Sequence, residues 1–284
     1  MIRLAMRAAS ATPASSPHYL CITGLGEMAI ELSVLASGSK GNSIYIATPG
    51  VRLLIDAGLS AREIERRLKR IGVRADDLDA VVITHEHRDH VSGLGPLSRR
   101  YRLPVFLNRA TRGNLPDQVG SLADCVEFVT GRSFSVADLT FHPFSLSHDA
   151  ADPVGLTLVN GESKMGICTD LGRATRLVEH HLQECRLLLL EANHDIGMLT
   201  KGPYPWSLKQ RIRSASGHLS NEESRELLAR VFGEALERVI LGHLSEVNNR
   251  PETVLEAFTE LRHACSLHLT VASQHEPSEI IVLP

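Results

Sequence analysis

The sequence predicts a single layered α/β body, and three observations carry that prediction. From Ile30 onwards, short aliphatic and β-branched runs bounded by Gly, Ser or Pro recur in the manner of strands. Stretches with apolar residues at helical spacing stand between them. No long Gly/Ser linker, internal repeat or low-complexity block divides the 284 residues, and one domain of that length can bury a sizeable core.

Composition narrows the class. With 43% hydrophobic and 22% charged residues the chain is ordinary for a globular protein, and no apolar run reaches the roughly 20 residues that cross a bilayer. Cys21, Cys125, Cys168, Cys185 and Cys265 include no CxxC pair, which argues against a thiolate zinc site or a disulfide framework and points to a reducing, cytoplasmic setting. A net charge of −3 gives no global pull towards a polyanion, so nucleic acid would have to be met by a local basic surface.

Residues 1–28 are rich in Ala, Ser and Pro, lack the continuous apolar segment of a secretory signal, and read as a disordered leader, with Met28 an alternative start. Residues 29–284 then form the single domain. Deleting residues 1–27 should leave melting temperature, metal content and activity unchanged, because this segment has no apolar pattern with which to dock. A loss of several degrees in a thermal melt would show that it packs after all.

The first strands are expected at 31–36, 43–47 and 51–55, joined by hairpins. Ser60 followed by Glu63 is a capping-box pattern at the start of a helix running to about Ile71, and Ile64, Leu68 and Ile71 give the helix one apolar face. Its basic residues Arg62, Arg66, Arg67, Lys69, Arg70 and Arg74 read as a solvated face. A buried strand over 78–84 delivers His85-Glu86-His87-Arg88-Asp89-His90 into a loop. Further strands are expected near 104–107, 138–146, 154–159, 164–169, 186–190, 238–242 and 267–272. Helices are expected over 174–184, 220–232 and 251–263, the second capped by Ser220 with Glu223 and the third begun by Pro251.

The segment from His85 to His90 reads HxHxDH and places four potential ligands in six residues. Imidazole and carboxylate suit zinc, manganese or iron, and short spacing lets successive side chains converge on adjacent ions. Glu86 and Arg88 are expected to point away.

With this motif, the chain resembles the metallo-β-lactamase superfamily, over roughly residues 30–284. The resemblance implies a four-layer αβ/βα sandwich, two mixed β-sheets flanked by helices, with a dinuclear site at one edge. It also implies a further His, an Asp and a final His, each after a strand; His148, Asp170 and His243 match in that order, with His142 competing for the third position. His85, His87 and His148 would hold one divalent ion and Asp89, His90 and His243 the other, Asp170 bridging. Zinc is the first expectation. Asp89 doubles as a catalytic carboxylate, and Asp56, in Leu-Leu-Ile-Asp-Ala-Gly, matches a buried carboxylate that orients site groups. Two ions sharing a water lower its pKa and stabilise negative charge on substrate oxygens.

Ligands alone do not choose a substrate. The interval from Asp170 to His243 is too short for the inserted cap of β-CASP nucleases, but it holds Leu190-Glu191-Ala192-Asn193-His194 and Gly217-His218-Leu219-Ser220-Asn221. These words resemble the tRNA 3′-end-processing nucleases, in which a Glu and a His handle protons, so Glu191 and His218 are expected to act as a catalytic pair. With Ser37-Gly38-Ser39-Lys40-Gly41-Asn42-Ser43 and His243-Leu244-Ser245, they are most similar to the YycJ-like (WalJ) branch, which implies 5′ to 3′ DNA exonuclease activity. Small-molecule ester, thioester or lactone hydrolysis is the alternative. Substrate contacts are expected from Ser37, Ser39, Lys40, Asn42, Asn193 and His194. The Gly-rich segment 37–43 reads either as a phosphate-binding loop or as a tight hairpin. Between Ile196 and Asn221 there is no acidic residue, but Lys201, Lys209, Arg211, Arg213, Tyr204 and Trp206 are present. That is either a nucleic-acid surface or a solvated helix with Trp206 as core anchor.

Overall fold

The computed structural model describes residues 29–265 and 267–284; the leader expectation lies outside the described residues. The strands are β1 (Ile30–Ala36), β2 (Ser43–Ala47), β3 (Arg52–Ile55), β4 (Ala80–Val82), β5 (Pro104–Asn108), β6 (Asp124–Phe128), β7 (Phe134–Val136), β8 (Leu139–Ser145), β9 (Val154–Asn160), β10 (Ser163–Cys168), β11 (Leu187–Glu191), β12 (Arg238–Gly242), β13 (His268–Val271) and β14 (Ile281–Leu283). They form two seven-stranded sheets, ordered β14-β1-β2-β3-β4-β5-β6 and β13-β12-β11-β10-β9-β8-β7. Both are mixed.

Three buried clusters make this a four-layer body. Leu53 and Ile55 of β3, with Leu187 and Leu189 of β11, meet between the sheets. The alternate residues Leu54, Leu188 and Leu190 turn outward under helices. Strands covered on both faces are apolar throughout, which is why Leu187–Leu190 is an unbroken leucine run. Outside the first sheet lie α1 (Ala61–Arg70), α2 (Arg88–Val91), α3 (Leu94–Tyr101) and α4 (Arg109–Gly113). Outside the second lie α5 (Arg176–Leu182), α6 (Ile196–Lys201), α7 (Trp206–Ile212), α8 (Asn221–Val231), α9 (Pro251–Ala257) and α10 (Thr259–Cys265). Among the described residues no helix is long and apolar enough to cross a membrane.

Several sequence expectations are corrected. Ser60 accepts from Glu63 N but the return bond is missing, because the Glu63 carboxylate is taken by Arg66 and Arg67; the full capping box belongs to Ser220 and Glu223 on α8. Arg67 is not solvated: it is 5% exposed and donates to Leu35 O at 2.7 Å and Gln274 O at 2.9 Å. Asp89 and His90 lie in the short helix α2 rather than in a loop. The helix expected over 251–263 is broken at Phe258, which is fully buried under the second sheet. The edge strands β6, β7 and β14 were not anticipated.

Strand direction positions the site. β3 to β6 run parallel, as do β10 to β13, so the C-terminal ends of β10, β11 and β12 lie on one edge. β8 and β10 are both antiparallel to β9, so the segment after β8 reaches the same edge. In layered α/β folds that edge is where functional groups gather.

Candidate metal centre

Three of the residues at this edge pay a backbone cost. Asp56, Asp170 and His243 follow β3, β10 and β12 with φ of 61°, 60° and 54°, left-handed values that residues bearing a side chain rarely adopt. His243 is held there by Ser37 Oγ, which accepts from its N–H at 2.7 Å, and by Asn193 Nδ2, which donates to its carbonyl at 2.8 Å. The loops are also stitched to one another: Asn42 N donates to Asp89 O, Ala57 N to His90 O and Gly58 N to Asn42 O. A β-carbon on Gly58 would lie 1.6 Å from Asp89 O. Gly58→Ala should therefore displace α2, costing about 3 kcal/mol or more and about 5 °C or more in melting temperature, with metal lost in parallel. An alanine variant that melts and binds metal like the native protein would refute this coupling.

The structure gathers all seven ligand candidates. One ligand atom each from His85, His87 and His148 lies within 4.8 Å of the others, and the same holds for Asp89, His90, Asp170 and His243. Asp170 faces both groups: Oδ2 is 3.3 Å from His90 Nε2, while Oδ1 is 3.3 Å from His243 Nδ1 and 3.8 Å from His148 Nε2. His142 is elsewhere, hydrogen-bonded to Ser133 Oγ at 2.6 Å on the surface.

Most of the imidazoles are pinned on one nitrogen and offer the other to the centre. His85 Nδ1 is held by Thr84 Oγ1, His87 Nε2 by Asp149 O and His148 Nδ1 by Gly217 O. His90 Nδ1 donates to Asp56 Oδ2 at 2.7 Å, and Asp56 is itself fixed by Thr84 N and Oγ1. On the inner side, His85 Nε2, Asp170 Oδ2 and His243 Nε2 are buried with no hydrogen-bond partner. Buried polar atoms without partners are costly, and bare lone pairs converging from opposed loops suit a cation.

The charges agree. Burial, reinforced by neighbouring histidines, drives the His85 imidazole well below its ordinary range, and burial lowers His148 too, so both stay neutral as ligands must. Burial would also lower His90 and His243, but the Asp170 carboxylate, aided by Asp56 and Asp89 at His90, raises both well above it. The carboxylates thus stabilise positive charge in a fully buried place, and divalent ions can supply that charge in exchange for protons.

A cavity of about 220 Å³ opens over this centre, with Asp89, His148, Asp170, His218 and His243 in its walls and Arg211 at its side. His218 Nδ1 donates to Glu191 Oε1 at 2.7 Å. The same Oε1 accepts from His243 Nδ1 at 3.0 Å, and Oε2 accepts from Leu171 N at 2.8 Å. Burial alone would raise the Glu191 carboxyl, yet His218 and His243 hold it at about 2. Glu191 in turn lifts His218 against the effect of burial.

Among the expected substrate contacts, Ser39 and Asn193 line the cavity, and Lys40 is exposed and paired with Glu246 at 2.5 Å. Ser37, Asn42 and His194 are buried at 3%, 5% and 1% exposure and do not line this cavity. The phosphate-loop reading of 37–43 is also corrected. Gly38 N donates to Asn42 Oδ1, Lys40 N to Gln274 Oε1 and Gly41 N to Gly38 O, which leaves few backbone donors for an anion. The core-anchor reading of Trp206 also fails, since its side chain is 65% exposed.

Comparison with known proteins agrees with this geometry. The β-lactamase superfamily domain profile matches residues 51–244. Exodeoxyribonuclease YycJ of Bacillus anthracis is 37% identical over 227 residues, covering 79% of this chain and 86% of the relative. Exodeoxyribonuclease WalJ of Streptococcus pneumoniae serotype 2 is 37% identical over 232 residues, covering 80% and 86%. In structure, the metallo-β-lactamase-fold protein YhfI of Bacillus subtilis superposes with a TM-score of 0.69 at 14% identity, over 88% of this chain and 99% of that one. Human tRNase Z, short form, gives a TM-score of 0.59 at 16% identity over 89% and 98%. The two stacked mixed sheets, the His/Asp cluster at their shared edge and the profile match over most of the domain together place this chain in the β-lactamase superfamily.

Proposed function

We propose that this chain is a metal-dependent phosphodiesterase that hydrolyses DNA from an end. The observation that carries this reading is the His218–Glu191 pair in the wall of the metal-site cavity, a proton-handling unit that an alkoxide leaving group requires. The names of the 37%-identical relatives, both exodeoxyribonucleases, point to DNA as the substrate.

His85, His87 and His148 would hold one ion and Asp89, His90 and His243 a second, with Asp170 between them; zinc suits the donors best, and manganese or iron also fit them. When bound, such a pair of divalent ions supplies an activated water and positive charge for the oxygens that become negative. The chain's own groups do the rest. Asp56 fixes the ring of His90, and Glu191 fixes those of His243 and His218. With Nδ1 committed to Glu191, His218 holds its second proton at Nε2, from which it can pass to the departing oxygen. Asn193 and Ser39 line the space in which the substrate strand is oriented.

The test is metal-reconstituted protein on end-labelled single- and double-stranded DNA, beside bis-p-nitrophenyl phosphate, a lactone and a thioester. DNA should be shortened progressively from one end, and elemental analysis should find about two transition-metal ions per chain. Rapid turnover of the lactone or thioester with intact DNA would overturn the reading in favour of a small-molecule hydrolase.

A further inference from the structure

Helix α7 is bound along one side and bare along the other. Leu208 and Ile212 line the cavity, and Lys209 Nζ donates to Thr200 O at 2.8 Å and Gly202 O at 2.7 Å. None of its residues is buried. On the bare side stand Trp206, Ser207, Gln210 and Arg211, and Arg213 follows directly. At 100° per residue these positions fill one continuous sector. Arg211 reaches the cavity edge, where it pairs with Asp149 at 2.5 Å. Trp206, the only tryptophan of the chain, is 65% exposed, which forgoes the burial an indole ordinarily gains.

The sector leads from the catalytic cavity towards a second one. Gly172 packs against the backbone of Ala215 and Gly217, and beyond that wall lies a cavity of about 250 Å³ bordered by Arg173, Arg213 and Arg230. Arg230 is paired with Glu179 at 2.6 Å, and Glu223 and Glu226 also border this cavity. Arg173 and Arg213 have no ion pair among the described residues. Between residues 196 and 221 there is no Asp or Glu, so the charges that this segment brings to the cleft are all cationic, in a chain whose net charge is −3.

We propose that the bare face of α7 is a track for single-stranded DNA, with Trp206 stacking on a base outside the cleft while Arg211 and Arg213 meet backbone phosphates. Cations that follow a backbone beside an exposed aromatic make a sequence-tolerant strand site, and only an unpaired base offers its face to an indole. The inference rests on the nuclease reading and adds to it the part of the strand that stays outside the cavity.

The single tryptophan makes the test direct. Metal-loaded protein is titrated with a short phosphorothioate oligothymidylate, which resists cleavage, while Trp206 fluorescence is followed. Saturable quenching is expected, weakening with salt, and Arg213→Ala should reduce the log–log salt slope by about 0.7. Trp206→Ala should raise KM for single-stranded DNA about tenfold, while Trp206→Phe keeps most of the affinity, as loss and retention of one stacked base predict. Silent fluorescence, or equal quenching by a duplex or by anionic phospholipid vesicles, would overturn the track. If wild-type protein degrades DNA while Trp206 is silent and Trp206→Ala leaves KM unchanged, the track falls and the nuclease reading stands. Saturable quenching by the oligonucleotide without hydrolysis of DNA would sink the nuclease reading and leave the binding face.

Discussion

Asp170→Ala should strip the protein of most of its metal and lower its hydrolytic activity by more than about 10³-fold, beyond what loss of a single electrostatic stabiliser costs. Asp170 is the one carboxylate that faces both ligand groups, with oxygens 3.3 Å from His90 Nε2 and 3.8 Å from His148 Nε2. Its Oδ2 is buried without a hydrogen-bond partner, and its backbone is held at φ 60°. A chain that keeps a β-branch-free acid in the left-handed region, against full burial, gains from the charge rather than from packing. Burial would raise this carboxyl, yet His243 and His90 hold it well below the ordinary range, so it is available as an anion. Asp170→Asn keeps the volume and loses the charge, and should fail almost as completely. Elemental analysis of both variants decides the matter. Activity that persists in wild-type protein carrying well below one metal per chain would refute the dinuclear scheme.

What could be read from the sequence divides by the range of the interaction involved. His85, His87, Asp89 and His90 were legible because four potential ligands fall within six residues, and His148, Asp170 and His243 because the resemblance calls for a His, an Asp and a His in that order, each after a strand. The strands buried on both faces, β10 to β12, announce themselves as apolar runs. The edge strands do not: β6 is half exposed along its length, and β14 is a strand because it meets Ile30–Leu32 from the far end of the chain. Arg67 read as one more basic residue on a helix, since its acceptors, Leu35 O and Gln274 O, lie 32 and 207 residues away. The segment 37–43 failed for the same reason. A Gly/Ser-rich word offers an anion its backbone N–H groups only if nothing else takes them, and here distant Gln274 takes that of Lys40 while Asn42 Oδ1 and Gly38 O take those of Gly38 and Gly41. Trp206 was ambiguous because a lone aromatic at helical spacing is usually core, and only the fold shows that α7 has nothing packed over it.

The second large effect concerns His218. His218→Ala should slow DNA hydrolysis by about 10²-fold or more, as removal of a general acid does, with metal content unchanged. His218 makes its hydrogen bond to Glu191 at 2.7 Å and lines the cavity, and its ring is 5.1 Å from that of His243, whose Nδ1 shares the same Glu191 oxygen. An activated nitrophenyl phosphodiester should suffer much less, because its leaving group departs without a proton. That contrast separates a proton donor from a residue that merely shapes the turn before Ser220. Glu191 is more than the partner of His218, however. Sequence alone treats the two as a unit, so that Glu191→Gln would add little to His218→Ala. The structure shows Oε1 also taking His243 Nδ1 at 3.0 Å and Oε2 taking Leu171 N, next to Asp170. An amide in that place can accept at only one of its two heavy atoms. Glu191→Gln should therefore weaken metal binding about tenfold or more, as loss of a group that orients a ligand does, and this loss should persist in the His218→Ala background. Metal titration of the two single variants and the double variant tests it. If Glu191→Gln leaves metal affinity intact and is silent once His218 is gone, Glu191 serves the histidine alone; if His218→Ala cleaves DNA at the native rate, the pair has no part in the chemistry.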